Sequence, residues 1–201
     1  MCSDTNKFLE LLKPCYSDAL KYCKALCARR SMDDAEDVLQ QSLLKALEKF
    51  DRLNDKSKFR SWFFKIITRE FFNSVRKDFW KKFLPLDNIS SAAEMPETFN
   101  RVENDENKIL LNKALSKISS KERSALLLYE IGCFSIEEIK EIQDERSISS
   151  VKSRLSRARE KLKKIIEDEE NNISNTKNKS SILIGDINNE TIKLITEIEG
   201  K

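Results

Sequence analysis

Apolar residues recur at three- and four-residue steps over most of the chain, which predicts amphipathic helices. Phe8, Leu9, Leu11, Leu12, Cys15, Tyr16, Ala19, Leu20, Cys23, Leu26 and Cys27 form the first such series, ending near Ala28. Pro14 interrupts it, so the helix kinks there or begins near Lys13 with Pro14 in its first turn. Ser31-Met32-Asp33-Asp34 reads as a capping box with Asp in place of Glu. The helix it opens carries Ala35, Val38, Leu39, Leu43, Ala46, Leu47 and Phe50 on its apolar face. After a polar connection, a third helix begins near Phe59, with Trp62, Phe63, Ile66 and Ile67 as core and Phe71 and Val75 further along. These elements make one three-helix unit over residues 7–83.

Residues 84–104 carry Pro85, Pro96, Asn, Ser and acids without periodicity, and read as a linker. Periodicity returns with Ile109, Leu110, Ala114, Leu115 and Ile118, opening a second unit over residues 105–167. Ser120 is the expected cap of a helix holding Ala125, Leu126, Leu127 and Tyr129, and Ile131-Gly132-Cys133-Phe134 is a break. Ser135 caps a short helix with Ile136, Ile139 and Ile142. The polar turn Asp144-Glu145-Arg146-Ser147 follows, and Ser149 is the expected cap of a long basic helix. A short helix, a turn and a capped basic helix make a helix-turn-helix. Beyond residue 171 the composition shifts to Asn, Ser and Lys. There Ile192, Leu194, Thr196 and Ile198 alternate as in a strand, while Ile192, Ile195 and Ile198 would share a helix face. Asn188-Asn189 before them favours a small β-hairpin, a segment too short to stand alone in water and expected to fold back on the body of the protein.

Three Gly and three Pro in 201 residues support an all-α chain, since turn-rich β folds need many more. No apolar run is long enough to insert in a membrane, and the first residues do not form a secretory signal, so the expected location is the cytoplasm. The absence of His removes His general bases, Ser-His-Asp triads and His metal ligands. No glycine-rich phosphate loop occurs. The residues therefore give no sign of catalysis and imply no cofactor. The five Cys are expected as thiols. Cys15, Cys23 and Cys27 share a helix flank and could form a thiol sensor or part of a zinc site, but buried small hydrophobes are the favoured reading.

Charge is balanced overall and unevenly distributed. Residues 58–82 hold eight basic side chains against Glu70 and Asp78, and residues 152–164 hold seven against Glu160. Residues 84–108 carry six acids against two bases. Two basic helices separated by an acidic segment suit two contacts with nucleic acid.

Three stretches carry a family resemblance: Asp34-Ala35-Glu36-Asp37-Val38-Leu39-Gln40; Phe59-Arg60-Ser61-Trp62-Phe63-Phe64-Lys65-Ile66-Ile67 followed by Arg76-Lys77; and Ser150-Val151-Lys152-Ser153-Arg154-Leu155-Ser156-Arg157-Ala158-Arg159-Glu160-Lys161-Leu162. In this order they resemble the extracytoplasmic-function class of bacterial RNA polymerase sigma factors, in the sigma-70 family. The resemblance implies a region two-like unit and a region four-like unit joined by an acidic linker. It also implies a non-enzymatic initiation factor with core RNA polymerase and promoter DNA as partners, and it allows an anti-sigma factor. Asp37, Gln40 and Gln41 lie where the family docks on core polymerase. Arg69, Asn73, Arg76, Lys77 and Lys81 lie where it meets the −10 element. Ser149, Ser150, Lys152, Ser153, Arg154 and Arg157 lie on the helix that meets the −35 element, with Arg154 the first candidate for reading guanine. Phe79 and Trp80, among charges, could stack on unpaired bases. The chain departs from the family in lacking the Gly that opens the helix-turn-helix turn and in carrying Lys140 where a small residue is usual. A DNA-binding regulator acting without polymerase, and a sigma-like module for protein interaction, are the alternative readings.

Overall fold

A computed structural model of the chain describes residues 2–83 and 106–174. The expected linker and nearly all of the expected C-terminal extension, its hairpin included, lie outside the described residues. All regular structure among the described residues is helical. The chain divides into two compact units, one holding the helices up to Phe83 and the other those from Glu106.

The first unit consists of α1 (Cys2–Leu12), α2 (Tyr16–Leu26), α3 (Met32–Lys49) and α4 (Phe59–Phe83). Pro14 does more than kink one helix: Lys13–Cys15 is a separate 3₁₀ turn, because proline cannot donate the backbone bond an unbroken helix needs there. Ser31 caps α3 as expected. The Asp34 amide donates to Ser31 Oγ (3.1 Å), and the Ser31 amide donates to Asp34 Oδ2 (3.0 Å). α4 packs on α1, α2 and α3. Phe63, Phe64, Ile67 and Phe71 are fully buried along it, whereas Trp62 and Ile66, expected in the core, are only half-buried. Phe8, Phe50 and Phe59 meet edge to face with centroids 5.4–6.0 Å apart. Cys15, Cys23 and Cys27 are buried thiols, and burial pushes the Cys23 thiol far up, so it behaves as a hydrophobe. Among the described residues no set of three potential ligands could hold a metal.

α3 turns differently from its expected apolar stripe. Ser42 is fully buried and donates to the Val38 carbonyl (2.6 Å), while Leu47 is 43% exposed. A hydroxyl that bonds back four residues can occupy a core position, which apolar periodicity alone does not detect.

The second unit consists of α5 (Glu106–Lys117), α6 (Ser120–Glu130), α7 (Ile136–Ile142) and α8 (Ile148–Ser174). α8 packs on α5 and α6, burying Val151, Leu155, Ala158 and Leu162 at steps of four, three and four. It continues past the expected end of this unit at residue 167 and into the expected extension. The cap of α6 is Ser119 rather than Ser120. Ser119 Oγ accepts from the Glu122 amide, and Glu122 accepts from the Ser119 amide, both at 3.3 Å, because only a serine three residues before Glu122 can reciprocate. The α8 cap is likewise Ser147, which accepts from the Ser150 amide (3.2 Å), and Ser149 falls inside the first turn. Arg123 is buried and donates to the Leu115 carbonyl (3.1 Å), tying α6 to the last turn of α5. Gly132 follows α6 because a Cβ there would meet the Phe134 ring at 2.4 Å and the Leu128 carbonyl oxygen at 2.5 Å.

The buried polar link in the first unit is Tyr22 Oη to Thr68 Oγ1 (2.9 Å), and Thr68 also donates to the Phe64 carbonyl (2.8 Å). Removing the Thr68 hydroxyl takes this bond from the buried Tyr22 hydroxyl, whereas Thr68 keeps its own bond to the Phe64 carbonyl when Tyr22 loses its hydroxyl. Thr68→Val should therefore cost about 1–3 kcal/mol, and Tyr22→Phe with Thr68→Val together should cost less than the sum of the two single changes. Chemical denaturation of the four proteins measures this. Strict additivity would show that the link carries no coupling.

Candidate functional site

Each unit presents outward faces that its core packing fixes. On α3, burial of Ala35, Val38, Leu39, Ser42 and Ala46 sends Asp37, Gln40 and Gln41 to the exposed side. Leu44 (56% exposed) and Leu47 continue that side. The result is a stripe with an acid and two amides at one end and two leucines at the other. Sequence reading missed the leucines. The apolar period places Leu47 in the core, and Leu44 has no partner in that period.

On α4, Arg69, Arg76 and Lys77 are exposed and Asn73 is half-buried. Positions 69, 73 and 76 are four and three residues apart and therefore share a face. Arg76 donates to Asn73 Oδ1 (2.9 Å), and Asn73 lies 3.5 Å from Glu70 Oε1. The acids of this helix are engaged elsewhere in the unit: Glu70 pairs with Lys45 of α3, and Asp78 pairs with Arg30, which also donates to Ser74 Oγ (2.6 Å). Lys81 lies in the last turn of α4, with its side chain outside the described residues. Phe79 and Trp80 are 55% and 58% exposed, edge to face with centroids 6.1 Å apart.

The helix-turn-helix closes without glycine. Asp144 takes φ 53°, a left-handed conformation that Asp adopts more readily than most residues. The Glu145 amide then donates to the Lys140 carbonyl (2.9 Å), closing the end of α7 as a Schellman-type cap. Glu145 also reaches across the turn: its carboxylate pairs with Arg154 (2.7 Å) and lies 3.4 Å from Ser150 Oγ. Both partners are largely buried. The bond from Arg154 holds the Glu145 carboxyl below its ordinary range against the opposing effect of burial.

Ser149, Lys152, Ser153 and Arg157 are exposed at the start of α8, Ser150 is half-buried, and Arg157 Nε donates to the Ser153 carbonyl (3.2 Å). Arg154 thus differs from its expected companions. It is 12% exposed and held by Glu145, a pairing nine residues apart that no helical period announces. The bases further along α8 serve the fold. Arg159 pairs with Glu130 (3.1 Å) and lies over the Tyr129 ring (4.8 Å), and Lys161 pairs with Glu122 (2.8 Å). Burial pushes the Glu122 carboxyl up, but bonds from Lys161 and Ser119 outweigh it and leave it low. Among the described residues no helix is long and apolar enough to cross a membrane.

Two family models match the chain: Sigma-70 region 2 over residues 11–81 and Sigma-70 region 4 over residues 108–162. The RNA polymerase sigma factor SigV of Bacillus subtilis (strain 168) is 30% identical over 151 residues, which are 74% of this chain and 86% of that protein. The ECF RNA polymerase sigma factor EcfG of Rhodopseudomonas palustris (strain TIE-1) is 27% identical over 147 residues, 71% of this chain and 76% of that one. Among solved structures, the sigma factor RpoE of Bartonella quintana, crystallised in complex with the anti-sigma factor NepR, aligns with a TM-score of 0.60 at 30% identity. That alignment covers 82% of this chain and 97% of RpoE. The chain belongs to the sigma-70 family of RNA polymerase sigma factors, in its extracytoplasmic-function class.

The lowered Glu145 carboxyl makes a signed prediction. A group depressed in the folded state stabilises above its unfolded value, and that contribution is lost as the pH falls through the folded value. Glu145→Gln should loosen α7 and α8 at neutral pH, and its difference from wild type should vanish on acidification below the ordinary glutamate range. Arg154→Ala should cost about 1.5–3 kcal/mol at neutral pH, as for a hydrogen bond to a charged group. Amide exchange of α7 and α8 in the full chain reads both. A difference that grows on acidification would contradict the assignment.

Proposed function

We propose that this sigma factor directs promoter-specific initiation through three faces. The exposed stripe of α3, with Asp37, Gln40 and Gln41 and extended by Leu44 and Leu47, docks on core RNA polymerase. The outward face of α4, with Arg69, Asn73, Arg76 and Lys77, and with Lys81 in its last turn, meets the −10 element. The start of α8, with Ser149, Ser150, Lys152, Ser153, Arg154 and Arg157, enters the −35 major groove. Residues 7–83 and 105–167 are the working domains, and residues 84–104 connect them.

The observation that carries this reading is that one chain holds both sigma-type units, each with a helix that turns cations outward while its neighbouring acids are paired inside the unit. Outward Lys and Arg neutralise phosphates and release counterions, which supplies salt-dependent affinity. Arg154 reads a base by exchanging the Glu145 carboxylate for a guanine edge, so its contact is conditional where those of Lys152 and Arg157 are not. A protein that sequesters the chain, as NepR binds RpoE, is a third class of partner supported by that neighbour. The chain has no catalytic step of its own and works where polymerase and promoters are, in the cytoplasm.

Two variants separate the faces. Asp37→Ala with Gln40→Ala should weaken association with core polymerase while leaving helical content and −35 duplex binding unchanged. Lys152→Ala with Arg157→Ala should spare association with core and reduce the salt dependence of −35 binding by about one to two units of slope. Titration with core and with a −35 duplex at several salt concentrations measures both. Unchanged core affinity in the first variant, or an unchanged salt slope in the second, would remove the corresponding face.

A further inference from the structure

We infer that Glu145 is a specificity-determining residue of the −35 face: its carboxylate holds Arg154 back from phosphates and from the wrong bases, and yields it only to guanine. This rests on the reading of α8 as the −35 helix and deepens it.

The ion pairs of α8 within its unit are of two kinds. Arg159 and Lys161 pair with Glu130 and Glu122 of α6, a helix whose packing on α8 fixes both ends of each bond. Arg154 pairs at 2.7 Å with Glu145, which belongs to the turn between α7 and α8. Parting that pair takes the rotation of one side chain and moves no helix. It also stands where DNA has to come. Ser150 lies four residues before Arg154 and Arg157 three after it, so both neighbour it on the helix surface, and both belong to the expected groove-facing set.

The carboxylate has partners that remain once Arg154 leaves. Glu145 Oε1 holds Arg154, while Oε2 lies 3.4 Å from Ser150 Oγ. Arg154 lowers this carboxyl most, against burial, and Lys121 of α6 and Ser150 act in the same direction as Arg154. Glu145 is therefore an anion beside the groove-facing residues whether or not it holds Arg154.

Chemistry selects what can take its place. Arg154 gives up a charge-assisted bond, so an exchange needs an equivalent or better one. A phosphate offers an equivalent bond but brings a second anion up to the abandoned carboxylate. In the major groove adenine sets an amino donor beside its acceptor, cytosine presents an amino donor, and thymine presents one carbonyl beside a methyl group. Guanine presents two acceptors, O6 and N7, spaced for the guanidinium fork. Glu145 thus lowers affinity for every duplex, and lowers it least where guanine meets Arg154. Specificity is that difference. Lys152 and Arg157, both exposed, supply the part of the affinity that ignores sequence.

The test uses holoenzyme assembled from core and the full chain, with duplexes that the wild-type holoenzyme selects from a pool randomised over the −35 region. The guanine read by Arg154 is the one whose enrichment disappears with Arg154→Ala. Affinity is then measured for a selected duplex and for the same duplex with that pair changed to adenine and thymine. Glu145→Gln keeps the side-chain size and removes the charge. It should narrow the ratio of the two affinities by about five- to twentyfold, part of what one base pair carries. The adenine duplex should also gain about one unit of salt slope, as Arg154 takes a phosphate there. A loosened turn lowers both affinities by one factor and leaves their ratio unchanged, so the ratio separates discrimination from support of the fold. In the Arg154→Ala background, Glu145→Gln should leave the ratio where it is. An unchanged ratio in the single Glu145→Gln variant overturns the inference, and so does an equal change of ratio with and without Arg154. Selection of no guanine that depends on Arg154 overturns it as well. A wild-type holoenzyme that selects no duplex overturns the reading of α8, and this inference falls with it. Selection by the wild type beside undiminished discrimination by Glu145→Gln overturns the role of Glu145 alone.

Discussion

The first unit depends on burial of one face of α4. Phe63, Phe64, Ile67 and Phe71 are removed from water completely, and a large apolar side chain contributes about 1.5–3 kcal/mol on full burial. Rotating the helix by one residue, about 100°, would expose these rings and drive cations into the core. The buried face therefore fixes the outward one. Arg69, Asn73, Arg76 and Trp80 share a sector because the phenylalanines occupy another. Thr68, on the buried side, is accommodated through its bonds to Tyr22 and to the Phe64 carbonyl.

Pairing inside each unit sets the charge of the exposed faces. Lys45 and Arg30 engage Glu70 and Asp78 of α4, and Glu122 and Glu130 of α6 engage Lys161 and Arg159 of α8. Each pair keeps one partner at least 30% exposed, and pairs in contact with solvent add little stability, about 0–1 kcal/mol. Their larger effect is selective: acids that would oppose a polyanion are neutralised on α4, and bases that would bind one indiscriminately are engaged on the distal part of α8. Lys152 and Arg157 at the start of α8, and Arg76 and Lys77 along the outer side of α4, remain exposed. Arg154 is the intermediate case, a base on the proposed −35 face whose carboxylate partner comes from the preceding turn.

Helix existence was legible because apolar period and serine caps coincide. The Ser31 box reads directly from the sequence. Serines cluster at the starts of α6 and α8, so the sequence points to Ser120 and Ser149, and only the reciprocating Glu122 or the Ser150 amide singles out Ser119 and Ser147. The faces of α3 were less legible. Ser42 occupies the core by satisfying its hydroxyl locally, and Leu47 lies at the surface. The glycine-free turn was visible as a departure, but its remedy was not, since it needs Asp144 at positive φ and a carboxylate nine residues before its partner. The exposed cations of the candidate faces were found because charge clusters survive projection onto sequence. The Glu145–Arg154 pair has no such signature.

The central claim is that this chain confers promoter choice on polymerase. The direct measurement is transcription in vitro from a genomic promoter library, comparing purified core alone with core plus the full chain. The account predicts transcripts that depend on the chain and start at a fixed distance from a shared two-part upstream motif. Specific DNA binding with no chain-dependent transcript would contradict it and assign the helix-turn-helix to a regulator that acts without the polymerase.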